Sequence, residues 1–256
     1  MLSSPGRVSA ASYVAAGSGP GRVMDTPGPV VGGDAIPACP LCHGSTDFYW
    51  ADRVRHYFQC CCCQLVFADP ATRLGPAAER RVYELHRNSA EDAGYRRFLM
   101  RLVEPLTQRL GIDAGKGSAD GATLQGLDFG CGPGPALSVL LEARGCCMQL
   151  YDPFFAPDRR VLAARYDFIT CTEVVEHLYT PAREWALLLQ GLKPGGWLGI
   201  MTKLVLDREA FVHWHYKNDP THVSFFSRPT FRFLAARDGL MPEFVGRDVI
   251  LLRKPL

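Results

Sequence analysis

Three sets of residues in this chain have the types and spacing to do chemistry. Cys39-Pro40-Leu41-Cys42 and Cys60-Cys61-Cys62-Cys63 stand seventeen residues apart. That interval lies within the spacer of about 15–20 residues that joins the halves of a four-thiolate metal site. By spacing the ligands are Cys39, Cys42, Cys60 and Cys63, with Cys61 and Cys62 as the ambiguity on the second knuckle. Four thiolates suit tetrahedral Zn²⁺ and leave no open position for water or substrate, so the ion expected here is structural. Zinc binding is worth an apparent ~10–16 kcal/mol in small zinc-folded peptides, enough to decide whether so small a module folds. Four reduced, unmetallated cysteines are the alternative.

The second set is a run of backbone that a ligand could touch. In Leu127-Asp128-Phe129-Gly130-Cys131-Gly132-Pro133-Gly134-Pro135 an apolar strand passes through alternating glycines into Ala136–Ala143, a helix expected to end at Gly145. Glycine permits positive φ and close ligand approach. A dinucleotide site would want G-x-G-x-x-G, but its third glycine position is Pro135 here. Asp152, after the apolar Met148–Tyr151, is placed to accept from ribose hydroxyls. A tight turn with no ligand, and an Asp152 that merely caps its strand, are the plain alternatives.

The third set holds the titratable groups. Glu173, Glu176 and His177 follow the strand pattern Phe168–Thr172, at the edge where open α/β sheets bind ligands. Farther on, His213-Trp214-His215-Tyr216 and Asp219-Pro220-Thr221-His222 form the densest cluster of titratable and aromatic side chains, expected to wall the substrate. An imidazole can take a proton at neutral pH, which makes His222 and His215 the general-base candidates, with Glu176 and His177 beside them. Histidines that order the loop through backbone bonds, and acids that favour a helix N-terminus, are the competing readings. A second metal at His213, His215, Asp219 and His222 fits by residue type alone.

The spacing Asp128-x-Gly130-x-Gly132-x-Gly134 resembles the first motif of the class I S-adenosylmethionine-dependent methyltransferases. Phe168–Leu178 and Leu192–Met201 are similar to that family's fourth strand with its acidic loop and to the turn and strand that follow. The resemblance implies an α/β fold, a Rossmann-like, mostly parallel sheet whose last strand is antiparallel. It implies S-adenosylmethionine as cofactor, contacted by Asp128, Gly130, Cys131, Gly132, Gly134, Asp152, Thr172 and Glu173. The Asp219–His222 stretch resembles one in bacterial methyltransferases that also carry an N-terminal zinc ribbon. Only fourteen residues lie between Asp152 and Asp167, too few for the family's usual helix, strand and turn. The third strand is therefore reduced to Arg160–Ala163 or missing, and Asp158 is the candidate for the adenine-contacting loop.

The elements that must position these groups divide the chain into 1–37, rich in Gly, Pro, Ser and Ala and expected to be disordered; 38–70, the zinc ribbon; 71–120, helices and linker; and 121–256, the cofactor domain. Two arginines precede Asp25 as in a weak transit peptide, but Met24 as the natural start is the preferred reading. Phe48–Trp50 and Arg55–Phe58 supply ribbon strands, and Val82, Leu85, Phe98, Leu102, Val103, Leu106 and Leu110 form helical stripes. A helix over 229–238 and a hairpin from 243–245 to 249–252 close the chain.

Composition narrows the function. A length of 256 residues accommodates one α/β domain and a small module, and a net charge of +2 gives little steering toward phosphate. Nucleic acid is thus disfavoured and a small-molecule methyl acceptor favoured. No apolar run reaches the roughly 18 residues of a membrane span, so the chain reads as soluble, and ten cysteines without a signal-peptide core point to a reducing compartment, the cytoplasm. A cofactor-binding zinc adaptor without turnover and an RNA methyltransferase that grips its substrate with the ribbon are the alternatives.

Overall fold

A computed structural model describes residues 36–85, 89–113, 117–118 and 123–256. The expectation of a disordered leader, and that of a start at Met24, fall outside the described residues.

Three short strands come first: β1 (Thr46–Ala51), β2 (His56–Cys60) and β3 (Val66–Ala68), antiparallel in that order. β1 keeps exposed and half-buried positions, whereas β3 is buried throughout. Two helices follow, α1 (Pro76–Tyr83) and α2 (Ala93–Arg109). Asp92 caps α2 by accepting from Tyr95 N–H at 2.8 Å, and Leu99, Leu102, Val103 and Leu106 recur on its buried face. Leu85, expected in that interior stripe, lies past the end of α1 and is 77% exposed. Among its described residues, the connection after α2 holds the two-residue strands β4 (Ile112–Asp113) and β5 (Gly117–Ser118).

The central sheet is built from β6 (Gln125–Phe129), β7 (Cys147–Tyr151), β8 (Tyr166–Thr172), β9 (Leu192–Met201), β11 (Met241–Val245) and β12 (Val249–Arg253), with α3 (Ala136–Glu142) joining β6 to β7 and α4 (Pro181–Gly191) joining β8 to β9. Its order is β11-β12-β9-β8-β6-β7, parallel from β9 to β7 and antiparallel at β12 and β11. The expected Rossmann-like sheet with an antiparallel end is present. Between β7 and β8, Arg159–Ala163 forms a 3-10 turn and no strand, so the family's third strand is missing and β7 is the sheet edge. The segment is too short to cross back over the sheet and form another parallel pair.

Beyond β9 come α5 (Arg208–Val212), β10 (Ser224–Phe225) and α6 (Arg228–Asp238). Ser227 and Thr230 form a capping box at the start of α6, and Gly239 ends it at φ 68°. Strand β10 does not join the central sheet. It pairs with β3, Ser224 opposite Phe67 and Phe225 opposite Val66, and completes a four-stranded ribbon sheet. Leu41, Phe58, Leu65 and Phe67 of the ribbon are buried in the same core as Trp185, Leu188, Phe231 and Leu234 of α4 and α6. Among the described residues, no helix is long and apolar enough to cross a membrane.

Candidate active site

A cavity of about 680 Å³ opens where the carboxyl ends of β6, β7 and β8 meet, lined by Phe129–Gly134, Asp152–Phe155 and Thr172–Val174 in turn. Gly130 N–H donates to Tyr151 O at 2.7 Å, which ties the loop after β6 to the end of β7. Gly130 sits at φ 79°, and a Cβ there would come within 2.4 Å of Val174 Cγ2. Both conformation and space therefore demand glycine. Gly132 is also left-handed, at φ 63°, whereas Gly134 is not among the glycines with positive φ.

Asp152 organises the neighbouring backbone. Its carboxylate accepts from Gly132 N–H at 3.1 Å, Phe154 N–H at 2.8 Å and Phe155 N–H at 3.0 Å, and it still lines the cavity. Asp128 is buried and accepts from Thr170 Oγ1 at 2.9 Å and Ser138 Oγ at 3.2 Å, which pins α3 to β8. Burial pushes its carboxyl up to about 6, against those two hydrogen bonds. Burial likewise raises the Cys131 thiol to about 12, so the cavity meets it as a neutral group. Thr172 Oγ1 is buried beside the cavity with no hydrogen-bond partner. An unsatisfied buried hydroxyl is costly, and a polar ligand atom in the cavity would relieve it.

The opposite wall carries acids and imidazoles. Glu173 is held at φ 52°, a conformation uncommon for a residue with a side chain. Burial pushes its carboxyl up to about 7, with Lys203 opposing. Glu176 is fully buried and does not line the cavity; it accepts from Thr202 Oγ1 at 3.0 Å and from the Tyr216 hydroxyl. Burial, then the nearby Glu173, raises Glu176 to about 8. His222 donates its Nδ1–H to Tyr216 O at 2.6 Å, His177 donates its own to Thr221 O at 3.2 Å, and the two rings lie 4.7 Å apart. A carbonyl only accepts, so both rings carry their proton on Nδ1 and present Nε2 as an acceptor. Burial lowers the His222 pKa, opposed by Asp219, whose Oδ2 is 3.9 Å from Nε2.

This arrangement has the parts a nucleotide-like ligand and a second reactant need: glycines, a carboxylate beyond a strand end, and basic nitrogens across the space. A family model described as a methyltransferase domain matches residues 93–242, more than half of the chain. The chain belongs to that methyltransferase-domain family.

Solved structures similar to this methyltransferase domain include the 1,6-didemethyltoxoflavin-N1-methyltransferase of Burkholderia thailandensis, bound to 1,6-didemethyltoxoflavin and S-adenosylhomocysteine, at 16% identity and TM-score 0.44 over 82% of this chain and 100% of that one. An O-methyltransferase family protein from the same organism matches at 16% identity and TM-score 0.44, over 70% of this chain and 67% of that one. An S-adenosylmethionine-dependent methyltransferase of Archaeoglobus fulgidus matches at 15% identity and TM-score 0.42, over 62% and 99%. No curated protein matches.

The methyltransferase domain does not gather all the residues expected at its site. His215 is exposed, with Nε2 3.4 Å from Lys203 Nζ, outside the cavity, and His213 is exposed as well. The second metal set built on those two histidines is therefore not assembled. Of the aromatic insertion only Asp219 and His222 reach the cavity. Phe211, Tyr216 and Phe225 are buried against Tyr49 and Tyr57 of the ribbon sheet instead, because β10 draws the insertion into that core. Asp158 caps the 3-10 turn, pairs with Arg160 and stays off the cavity.

Two residues had no signal in the sequence: Tyr83, which lines the cavity, and Arg55, which does not line it but braces a loop that does. Tyr83 of α1 donates to Glu79 at 2.8 Å and meets the His177 ring edge-on at 5.2 Å. Arg55, in the β1–β2 turn, is 6% exposed and points into the loop that carries His222. It donates to His222 O at 2.8 Å, to Asp219 O at 3.1 Å and to Lys217 O. The four ribbon sulfurs converge, Cys39 Sγ to Cys63 Sγ at 3.5 Å and Cys42 Sγ to Cys60 Sγ at 3.3 Å. Backbone N–H groups of Leu41, Cys62 and Cys63 point at these sulfurs, each at 3.4 Å, as a thiolate cluster wants. Cys61 and Cys62 are exposed, and the geometric set that could hold a metal is Cys39, Cys42, Cys60 and Cys63.

Proposed function

We propose that the protein transfers a methyl group from S-adenosylmethionine to a small-molecule acceptor in the cytoplasm, on a scaffold that includes a structural zinc ribbon. The observation that carries this reading is the cavity at the strand ends, where the Gly130–Gly134 backbone, Asp152 and the unpartnered Thr172 hydroxyl face one space within the matched methyltransferase domain.

Gly130, Gly132 and Gly134 let the backbone approach the amino-acid end of the cofactor, with Cys131 alongside. Asp152 accepts from its ribose hydroxyls, and Asp128 holds the loop, α3 and β8 together. Thr172 and Glu173 meet the cofactor near its reactive end. The cofactor supplies an activated methyl on a sulfonium, and holding the acceptor in line with it is worth ~7–11 kcal/mol of the barrier. His222 offers Nε2 to the acceptor's nucleophilic group, His177 flanks it, and Glu176 positions this wall through Tyr216. Tyr83 and Phe154 close over the space, their rings 5.8 Å apart, and exclude water. Cys39, Cys42, Cys60 and Cys63 hold zinc.

Calorimetric titration with S-adenosylhomocysteine tests the cofactor half, and incubation of a metabolite extract with a methyl-labelled donor tests turnover. One equivalent bound per chain with label in a small molecule is expected. No binding refutes the reading, and label confined to RNA refutes the acceptor class.

A further inference from the structure

The acid and imidazole wall has a geometry that acceptor binding alone does not require. Glu176, His177 and His222 each present a ligand atom, and these atoms lie within 4.8 Å of one another. All three side chains are already oriented from behind. The Thr202 and Tyr216 hydroxyls hold Glu176, the Thr221 carbonyl holds His177 Nδ1–H, and the Tyr216 carbonyl holds His222 Nδ1–H. A metal-binding imidazole characteristically donates its other N–H to a carbonyl or carboxylate, which fixes the tautomer and aims the second nitrogen at the ion. Both rings meet that condition, and the carboxylate has its own pair of supporting donors.

We propose that Glu176, His177 and His222 form a second metal site, for a divalent first-row ion such as Mn²⁺ or Zn²⁺, at the acceptor side of the cavity. Two imidazoles and one carboxylate suit such ions, and three protein ligands leave positions open, unlike the four-sulfur site. His177 and His222 line the cavity, so the open positions face the space assigned to the acceptor. Glu173 also lines it and shares the Tyr216 hydroxyl with Glu176, which places a further oxygen donor beside the three.

The chemical class of acceptor follows. An oxygen-bearing acceptor binds the ion through a hydroxyl, whose proton is released to solvent because coordination to a divalent ion lowers its pKa. The oxygen then forms a bond to the methyl carbon as the sulfonium carbon–sulfur bond breaks, and the electron pair stays on sulfur. With the ion bound, the imidazoles serve as ligands, and His222 is not needed as a base. This consequence rests on the methyltransferase reading, whereas the ion site itself does not.

Mn²⁺ distinguishes the two metal sites, since it favours oxygen and nitrogen donors over thiolates. The full chain with its ribbon loaded with zinc is titrated with Mn²⁺, following loss of the free-ion electron paramagnetic resonance signal. One Mn²⁺ bound per chain is expected, with affinity falling about a hundredfold in His177→Gln and about tenfold in Tyr216→Phe, which removes a supporting donor. S-adenosylhomocysteine titration of the same samples reads the cofactor half separately and reports whether each variant is folded. His222→Gln replaces His177→Gln if the latter fails to fold. No saturable Mn²⁺ uptake by the unaltered protein overturns the site, as does equal uptake by a folded ligand variant. Mn²⁺ uptake without cofactor binding would leave the site standing and overturn the methyltransferase reading.

Discussion

The two walls of the cavity are built by different means. The proposed cofactor side is local: a strand, a glycine turn, a helix and the next strand, all between Gln125 and Asp152, with Gly130 and Gly132 bonded to Tyr151 O and Asp152. The proposed acceptor side is assembled at long range. His177 follows β8, His222 lies in the insertion after β9, Tyr83 comes from α1, and Arg55 reaches from the ribbon to the carbonyls of Lys217, Asp219 and His222. Val223 N–H donates to Glu176 O at 2.8 Å and Ala68 N–H to Val223 O at 2.9 Å, so one residue joins the ribbon sheet to the acidic turn. The difference teaches what the ribbon is for. Its residues line none of the cavity, but through Arg55 and Ala68 it braces the loop that carries His222, and it has no such bond to the glycine turn or Asp152 among the described residues.

Removing the zinc proposed for the ribbon should break the comparison most. Chelation, or Cys60→Ser, forfeits the ~10–16 kcal/mol that zinc gives such modules. Hydrogen exchange should show β1 to β3 and β10 opening while β6 and β7 stay protected, and methyl transfer should be lost while much S-adenosylhomocysteine binding survives. Equal loss of both would show that the two walls are not separate.

Arg55→Ala comes next. It leaves buried carbonyls without a donor and should cost about 3–5 kcal/mol in denaturant unfolding. In kinetics it should reduce kcat/KM for the acceptor more than cofactor affinity, with partial rescue by Arg55→Lys.

On the cofactor side, Asp128 provides a pH test. Its folded pKa of about 6 lies above the ordinary carboxylate value of 3.8. The folded state therefore binds the proton more tightly, and the stability this confers is present at low pH and lost as pH rises from about 4 through about 6, by up to about 3 kcal/mol. Asp128→Asn should flatten that slope in thermal melts. A slope unchanged by the substitution would assign it elsewhere.

The smallest effect is expected at Thr172. Thr172→Val removes an unpartnered buried hydroxyl and should change stability by under about 1 kcal/mol without ligand. Cofactor affinity should fall severalfold, and an unchanged affinity would remove Thr172 from the contact set.

Much of the cofactor side was legible in sequence because each signal was a neighbour of the next. Glycines between a strand and a helix, and an acid at the end of the following strand, are a short-range pattern, and the terminal helix and hairpin carried their own caps and turn. Reading along the chain also located the cysteine knuckles and the strands between them. It failed where residue type was shared but surroundings were not. His215 and His222 look equivalent in sequence, yet His215 faces outward, whereas His222 is buried with Nδ1–H on the Tyr216 carbonyl. The aromatic insertion suggested a substrate wall and is largely a core, since β10 pairs with β3.

By itself, then, the sequence determined the α/β class, the glycine turn, the cysteine spacing and the absence of room for a third strand. All of these rest on backbone preferences and contacts a few residues apart. Only the tertiary structure decided which histidines meet, that Tyr83 lines the cavity and Arg55 holds the His222 loop, and that Glu176 stands behind the cavity wall. Those facts depend on which polar groups find partners on other elements, from Thr202 and Glu176, 26 residues apart, to Arg55 and His222, 167 apart, and no local pattern encodes that choice.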